Sequence, residues 1–315
     1  MTARILVTGA NGFIGRAVSA ALAAKGHEVA RAVRSRSGGE GEMAVGEVGA
    51  DTDWREALAG SEVIVHLAAR AHVMRETAAD PLAEFRRVNV EGTLNLARQA
   101  SALGARRFVF VSSIKVNGEC TIGKSFSGTD AAAPVDAYAI SKWEAEQGLQ
   151  AIARETGMDV VRIRPPLVYG PGVKGNFAAL LKWARRSVPL PLGAVHNRRS
   201  FLALENLADF IALCADLSRS PAAANRLFLI SDGEDVSTTE LLKRIARAFG
   251  RNLPLLPVPE HVLRLAARCL GKSAIADRLL DSLTIDSGEA RALGWRPVIS
   301  MDEQLRKMAQ AEPSS

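Results

Sequence analysis

Three glycines at three-residue spacing, set directly behind an apolar run at the start of the chain, constrain the fold more than any other feature. The stretch reads Thr8-Gly9-Ala10-Asn11-Gly12-Phe13-Ile14-Gly15 and follows Ile5-Leu6-Val7. In a strand–turn–helix unit Gly9 permits the tight turn, Gly12 lets the backbone approach a pyrophosphate, and Gly15 lets the helix pack closely on the strand. The helix N-terminus then offers unpaired N–H groups to the phosphates. Gly9, Asn11, Gly12, Phe13, Ile14 and Gly15 are therefore candidate cofactor-binding residues. A simple turn would explain one such glycine, but not three in a strand–turn–helix context.

The pattern of strand then helix continues. Strands are predicted over 5–8, 28–33, 63–67, 108–112 and 160–164, and helices over 14–25, 53–58, 84–103 and 139–156. Alternation of this kind implies an α/β fold, a Rossmann-type doubly wound parallel sheet. After Pro165-Pro166 the texture changes. Glycine and proline gather at 169–175 and 189–193, where long loops are expected, one further strand is predicted over 228–230, and the remainder is mainly helical. This divides the chain into a dinucleotide-binding domain (1–170 plus 201–232), a smaller C-terminal substrate-binding lobe (171–200 plus 233–309) and a frayed tail (310–315).

Composition narrows the classes of function. The 315 residues carry a net charge of +6, but the basic residues are scattered and aromatics make up only 5%, so no nucleic-acid face is expected. The positive balance suits anionic small molecules. No apolar run approaches the roughly 18 residues of a membrane span. Cys120, Cys214 and Cys269 are odd in number and far apart, which points to a reducing compartment rather than a disulfide framework. No Cys/His cluster has metal-ligand spacing. The first strand starts almost at the N-terminus, leaving no room for a signal peptide, and a cytoplasmic location is expected.

Two local features sharpen the chemistry. Sites for NAD usually end the second strand in a carboxylate that binds the ribose 2′-OH. Here the strand runs into Arg34-Ser35-Arg36 instead, and a guanidinium suits a 2′-phosphate. NADP(H) is the expected cofactor, with NAD as the alternative if the two arginines are solvated loop charges. Further along, Tyr138 and Lys142 stand four residues apart, on one face of a helix. A neighbouring ammonium favours the phenolate and lowers a tyrosine pKa from its ordinary value near 10, making the phenol a usable proton exchanger.

Together these pieces resemble the extended short-chain dehydrogenase/reductases, the nucleotide-sugar epimerase/dehydratase group, over nearly the full chain. The matching stretches are Thr8–Gly15, His66-Leu-Ala-Ala69, Asn89-Val-Glu-Gly-Thr93, Val111-Ser-Ser113, Tyr138-x-x-x-Lys142, Arg164-Pro-Pro-x-x-Tyr-Gly-Pro171 and Arg199-Ser-Phe201 ahead of Asn206. The resemblance implies a catalytic trio of Ser113, Tyr138 and Lys142, the last two also binding cofactor. It places Glu47 and Val48 beside the adenine, where the family more often has Asp. It puts Leu67, Ala68 and Ala69 along the ribose and nicotinamide, with Asn89 and Pro165 completing the cofactor site. For the substrate it implies a UDP-sugar touched by Ser113, Lys115, Asn176, Leu190, Pro191, Leu192 and Arg199. The role of Arg198 stays open. It also implies a homodimer through helices near 85–103 and 139–156.

The reaction is narrowed by one position. A 4,6-dehydratase needs an acid/base pair directly after the catalytic hydroxyl residue, and this chain has Ile114-Lys115 there. Isoleucine carries no proton, which excludes dehydration. Reduction of a UDP-4-keto-6-deoxy-N-acetylhexosamine in O-antigen biosynthesis is the expectation, because a strand end without a carboxylate suits an exchanging NADPH. The alternative is 4-epimerisation of UDP-glucose or UDP-N-acetylglucosamine. A non-catalytic NADP(H) sensor is a further reading, which the Tyr138/Lys142 pair opposes, and reduction of a non-nucleotide ketone is opposed by Asn176 and Arg199.

Overall fold

In the computed structural model, residues 2–39, 41–71, 80–186 and 188–311 are described. Seven parallel strands form the main sheet: β1 (Arg4–Thr8), β2 (Glu28–Val33), β3 (Glu42–Ala44), β4 (Val63–His66), β5 (Arg107–Val111), β6 (Asp159–Arg164) and β9 (Leu227–Leu229). Their order in space is β3-β2-β1-β4-β5-β6-β9. The chain order thus reverses between β1 and β4, the switch point beside which open α/β sheets bind ligands at the carboxyl ends of their strands. Strands β1, β4 and β5 are buried almost throughout, as continuous apolar runs covered by helices on both faces must be.

Each face has its own core. On one side the helices Phe13–Ala24 and Leu204–Ala215 pack Val18, Leu22, Phe210 and Ile211 against Ile5, Val65, Val109 and Val161. On the other, Leu96, Ala100 and Leu149 from the helices Thr93–Ala102 and Ala137–Thr156 meet Leu6, Ile64, Phe108 and Val160. The alternation of inward residues along each strand divides them between the two faces.

A smaller sheet of β7 (Leu167–Tyr169), β8 (Arg199–Ala203) and β10 (Asp235–Val236), in the order β10-β8-β7, lies under a third core. There Tyr169 stacks on Phe177 with ring centroids 5.1 Å apart. The helices Gly175–Arg186, Thr238–Ala248 and Met301–Ala311 close this core with Leu180, Leu241, Ile245 and Leu305. Ala290 and Trp295, although late in the chain, pack with the main sheet.

Besides the three-stranded small sheet, which was not predicted, three features depart from the sequence reading. Strand β3 was not predicted: three residues set among Gly38, Gly39, Gly41 and Gly46 give too short a signal. The helix predicted over 84–103 is broken into an α-helix at Pro81–Arg86, a π-helical stretch at Arg87–Gly92 and an α-helix from Thr93. Asp80 starts the first of these by accepting the Ala83 N–H, with Pro81 in the first turn. The third departure is at the C-terminus, where Gln310 and Ala311 belong to the helix Met301–Ala311 rather than to a frayed tail; 312–315 lie outside the described residues.

Candidate active site

The glycine loop joins β1 to the helix Phe13–Ala24 at the switch point. Gly9 has φ of +64°, and a Cβ there would stand 3.0 Å from the Ala68 amide nitrogen. A Cβ on Gly15 would lie 2.1 Å from the Gly9 carbonyl oxygen, a clash no side chain could relieve. The helix begins at an N-cap, Gly12, that makes no side-chain cap, and its first turn holds no acid. Its leading N–H groups therefore face the cleft without an internal partner. A shallow backbone cradle, free amides and no opposing carboxylate together fit the pyrophosphate of a dinucleotide. Arg16 Nε braces the loop by donating to the Asn11 carbonyl at 2.8 Å.

At the sheet edge Arg34 and Arg36 follow β2, exposed and without an ion pair among the described residues. Glu47 turns its carboxylate toward Arg87, 3.7 Å away. Val48 packs where a Cβ on Gly92 would fall 2.5 Å from its Cγ1, which accounts for a glycine in the π-helical stretch.

A hydrogen-bonded chain that sequence reasoning did not single out runs beneath the loop. Thr8 Oγ1 accepts the N–H groups of Leu67 (3.1 Å) and Ala68 (3.2 Å). Its own hydrogen is then free for His66 Nδ1 at 2.7 Å, which leaves His66 Nε2–H to donate to Thr93 Oγ1 at 3.0 Å. His66 is fully buried; burial, with the nearby Lys142 charge, pulls its pKa down to about 3. The ring stays neutral, as this tautomer chain requires. The only sequence signal was the histidine ahead of Leu67-Ala68-Ala69.

Asn89 completes the support. Its Oδ1 accepts the Arg70 N–H at 2.8 Å, while its Nδ2 donates to the Arg70 carbonyl at 3.1 Å and to Ser141 Oγ at 3.0 Å. This side chain is spent on holding the loop after β4. Pro165 likewise acts through its carbonyl, which accepts the Ile114 N–H at 3.0 Å and anchors the turn that follows Ser113.

Ser113 lies just past β5 with extended φ of −154°, and its Oγ accepts the Lys115 N–H at 3.2 Å. The hydroxyl hydrogen thus remains available to a ligand. Asp136 caps the helix Ala137–Thr156 by accepting the Ala139 N–H at 2.7 Å, which fixes Tyr138 in the first turn and Lys142 one turn on. Tyr138 meets Phe85 edge-on at 6.0 Å. Lys142 is buried beneath Phe110, its Nζ 4.0 Å from the ring centroid. Burial sets both pKa values. The phenol is pushed up to about 12, Asp136 adding to the rise, and the ammonium is pulled down to about 7 against the attraction of Glu146. The expected lowering of the Tyr138 pKa does not hold in the bare protein, where loss of solvent outweighs the lysine.

Lys115 pairs with Asp136 and, at 3.0 Å, with Glu119. It braces the carboxylate that caps the helix Ala137–Thr156. Ile114 is buried with Leu229, Leu283 and Ile285, an apolar setting with no group to carry a proton.

The proposed substrate residues come together only in part. Asn176 is exposed in the first turn of the helix Gly175–Arg186. Leu190 donates its N–H to the Pro254 carbonyl at 3.0 Å. Pro191 is exposed, but Leu192 is buried in the core of the small sheet, so its side chain points away from any base. Arg199 is half-buried, donates from Nη1 to the Asp281 carbonyl at 2.8 Å, and burial lowers its pKa. Arg198 pairs with Asp235 at 3.1 Å, which accounts for its charge.

Comparison with known proteins places this arrangement among relatives. The family model "NAD dependent epimerase/dehydratase family" matches residues 5–226. The chain is 44% identical to the UDP-glucose 4-epimerase of Vibrio cholerae over 317 aligned residues, covering 99% of this chain and 96% of that protein. Among solved structures, the UDP-N-acetylglucosamine 4-epimerase of Bacillus cereus superposes with a TM-score of 0.78 at 21% identity, covering 98% of this chain and 99% of that one. The UDP-glucose 4-epimerase of Thermus thermophilus in complex with NAD superposes with a TM-score of 0.75 at 24% identity, covering 98% of both.

Proposed function

This chain belongs to the NAD dependent epimerase/dehydratase family, and from that premise we propose that it is a UDP-sugar 4-epimerase. The observation that carries the reading is the 44% identity, end to end, with the UDP-glucose 4-epimerase of Vibrio cholerae. It moves the weight from net 4-keto reduction to epimerisation.

The glycine loop with Asn11, Phe13 and Ile14 would hold the pyrophosphate, Leu67, Ala68 and Ala69 the ribose and nicotinamide, and Arg34 and Arg36 would face the adenosine end. When bound, the dinucleotide supplies the hydride acceptor at C4 and, once reduced, the hydride donor. The chain's own groups handle the proton. Ser113 donates its free hydroxyl hydrogen to O4 and stabilises the charge that develops there. Tyr138 takes the O4 proton as C4 is oxidised and returns it after the keto sugar has presented its other face. That first step needs the phenolate, and in the bare site burial opposes it. Lys142, one helical turn on, would lower that barrier when protonated. Arg199 and Asn176 would meet the diphosphate, and the stretch at 189–192 the uracil.

Net reduction of a 4-keto sugar remains a second reading, supported by one observation: Arg34 and Arg36, without an ion pair among the described residues, follow β2 where an NAD site would carry an acid. Incubation of the protein with UDP-glucose or UDP-N-acetylglucosamine and NAD, followed by NMR of the sugar, separates the two. The C4 epimer supports epimerisation; an unchanged sugar, beside NADPH oxidation with a UDP-4-keto sugar, supports reduction.

A further inference from the structure

The helix Glu260–Cys269 has no buried residue, yet much of its surface is apolar. Leu263 and Ala267 lean on the core of the small sheet. Val262, Leu265, Ala266 and Cys269, spaced i, i+3, i+4 and i+7, form a separate stripe that faces solvent. Leu256 before the helix, Leu270 after it and Ile275 on the adjoining helix Ser273–Leu280 continue the apolar surface; together with Val262 and Leu265 they are 43–69% exposed. Scattered exposed leucines need no explanation, but a stripe of this regularity does.

The charges around it are net positive. Over 256–280 four cations, Arg264, Arg268, Lys272 and Arg278, stand against the two carboxylates of Glu260 and Asp277. Asp277 is occupied by Arg264 at 3.3 Å, and Asp281, next along the chain, by the same guanidinium at 2.7 Å. Arg268, Lys272 and Arg278 have no ion-pair partner among the described residues. An apolar stripe bordered by unpaired cations is complementary to an acidic bilayer surface, into whose headgroup zone such a helix lies flat. A second copy of the chain carries the same net positive border and offers less charge complementarity than an acidic bilayer. No described helix is long and apolar enough to cross a membrane, so the contact is peripheral.

We infer that this face docks the protein on membranes rich in acidic phospholipid. The test is co-sedimentation of the full chain with vesicles of phosphatidylethanolamine plus phosphatidylglycerol, beside vesicles of phosphatidylcholine alone. The protein should partition onto the acidic vesicles, less so as salt rises. Leu265→Glu with Leu270→Glu should weaken partition by about tenfold or more, and Arg268→Glu with Lys272→Glu should also weaken it. Both pairs are exposed, so Tm and UDP-sugar turnover in solution should match the parent. The inference is overturned by failure of the parent to bind acidic vesicles, by equal binding to phosphatidylcholine, or by equal partition of parent and Leu265/Leu270 variant. Self-association in vesicle-free solution that the same variant abolishes would assign the face to a second copy instead.

Discussion

Lys142 Nζ stands 4.0 Å from the centroid of the Phe110 ring, and the opposite relationship of that ring is with His66, stacked at 6.0 Å. The aromatic side chain of β5 thus contacts both a buried amine and a buried imidazole, and the amine's charge lowers the imidazole pKa. Among the described residues this buried amine has no hydrogen bond or ion pair to hold its proton, an incomplete set of partners for an ammonium.

That incompleteness has a pH signature. The lysine's pKa falls from an ordinary 10.5 to about 7 in the folded protein. Between those values the unfolded chain binds the proton that the folded chain releases, so stability is lost as pH falls from 10.5 toward 7, and the loss is complete below about pH 7. Lys142→Met should therefore raise Tm of the ligand-free protein at pH 6.5 by about 2–4 °C or more, with the gain shrinking toward pH 10, while turnover collapses. A gain that is the same at both pH values would refute the assigned shift.

The Thr8–His66–Thr93 chain predicts an effect on binding rather than on chemistry. His66→Phe leaves both threonine hydroxyls without their partner, at a cost of about 1–3 kcal/mol for each buried group. It also loosens the Thr8 hydroxyl that accepts the Leu67 and Ala68 N–H groups. Dinucleotide affinity should fall by about tenfold or more, and Thr93→Val should move it the same way. Because the imidazole titrates only near pH 3, any step in dinucleotide affinity between pH 5 and 8 should belong to Lys142, whose pKa is about 7, and should be lost in Lys142→Met.

How much of this was legible in the sequence differs by element. Gly9, Gly12 and Gly15 declared the first strand, turn and helix because steric need at each position is local. Tyr138 and Lys142 declared their shared face because four residues is a helical repeat. Strand β3, the π-helical break at Arg87–Gly92 and the roles of Asn89 and Lys115 were not legible. Each depends on partners far along the chain: Val48 against Gly92, Arg70 and Ser141 around Asn89, Asp136 beside Lys115. The inward turn of Leu192 was hidden for the same reason, since an apolar run reads alike whether it faces a base or a core.

Arg34 and Arg36 are the place to test cofactor choice. If they clamp a 2′-phosphate, charge-assisted bonds of roughly 1.5–3 kcal/mol each are involved. Replacing both with Ala should weaken NADPH by more than about tenfold and leave NADH nearly untouched, measured by titration of cofactor fluorescence. Equal losses for the two cofactors would mark the arginines as solvated loop charges.

Arg199 tests the substrate lobe. Its planar guanidinium can grip two phosphate oxygens, which lysine cannot copy. Arg199→Ala should raise KM for the UDP-sugar at least about tenfold, an energy of about 1.4 kcal/mol, and weaken UDP inhibition in parallel without changing dinucleotide affinity. An unchanged KM would confine Arg199 to its bond with the Asp281 carbonyl.

The central claim is that the site oxidises and reduces the same carbon within one binding event. UDP-glucose carrying deuterium at C4, incubated with the enzyme and catalytic NAD, tests it directly by NMR and mass of the product. The expected product is the C4 epimer with the deuterium still on C4, and its formation should fall by roughly 10²–10⁴-fold in Tyr138→Phe, the usual contribution of a general acid/base. Recovery of UDP-glucose unchanged, or an epimer that has exchanged its label, would contradict it.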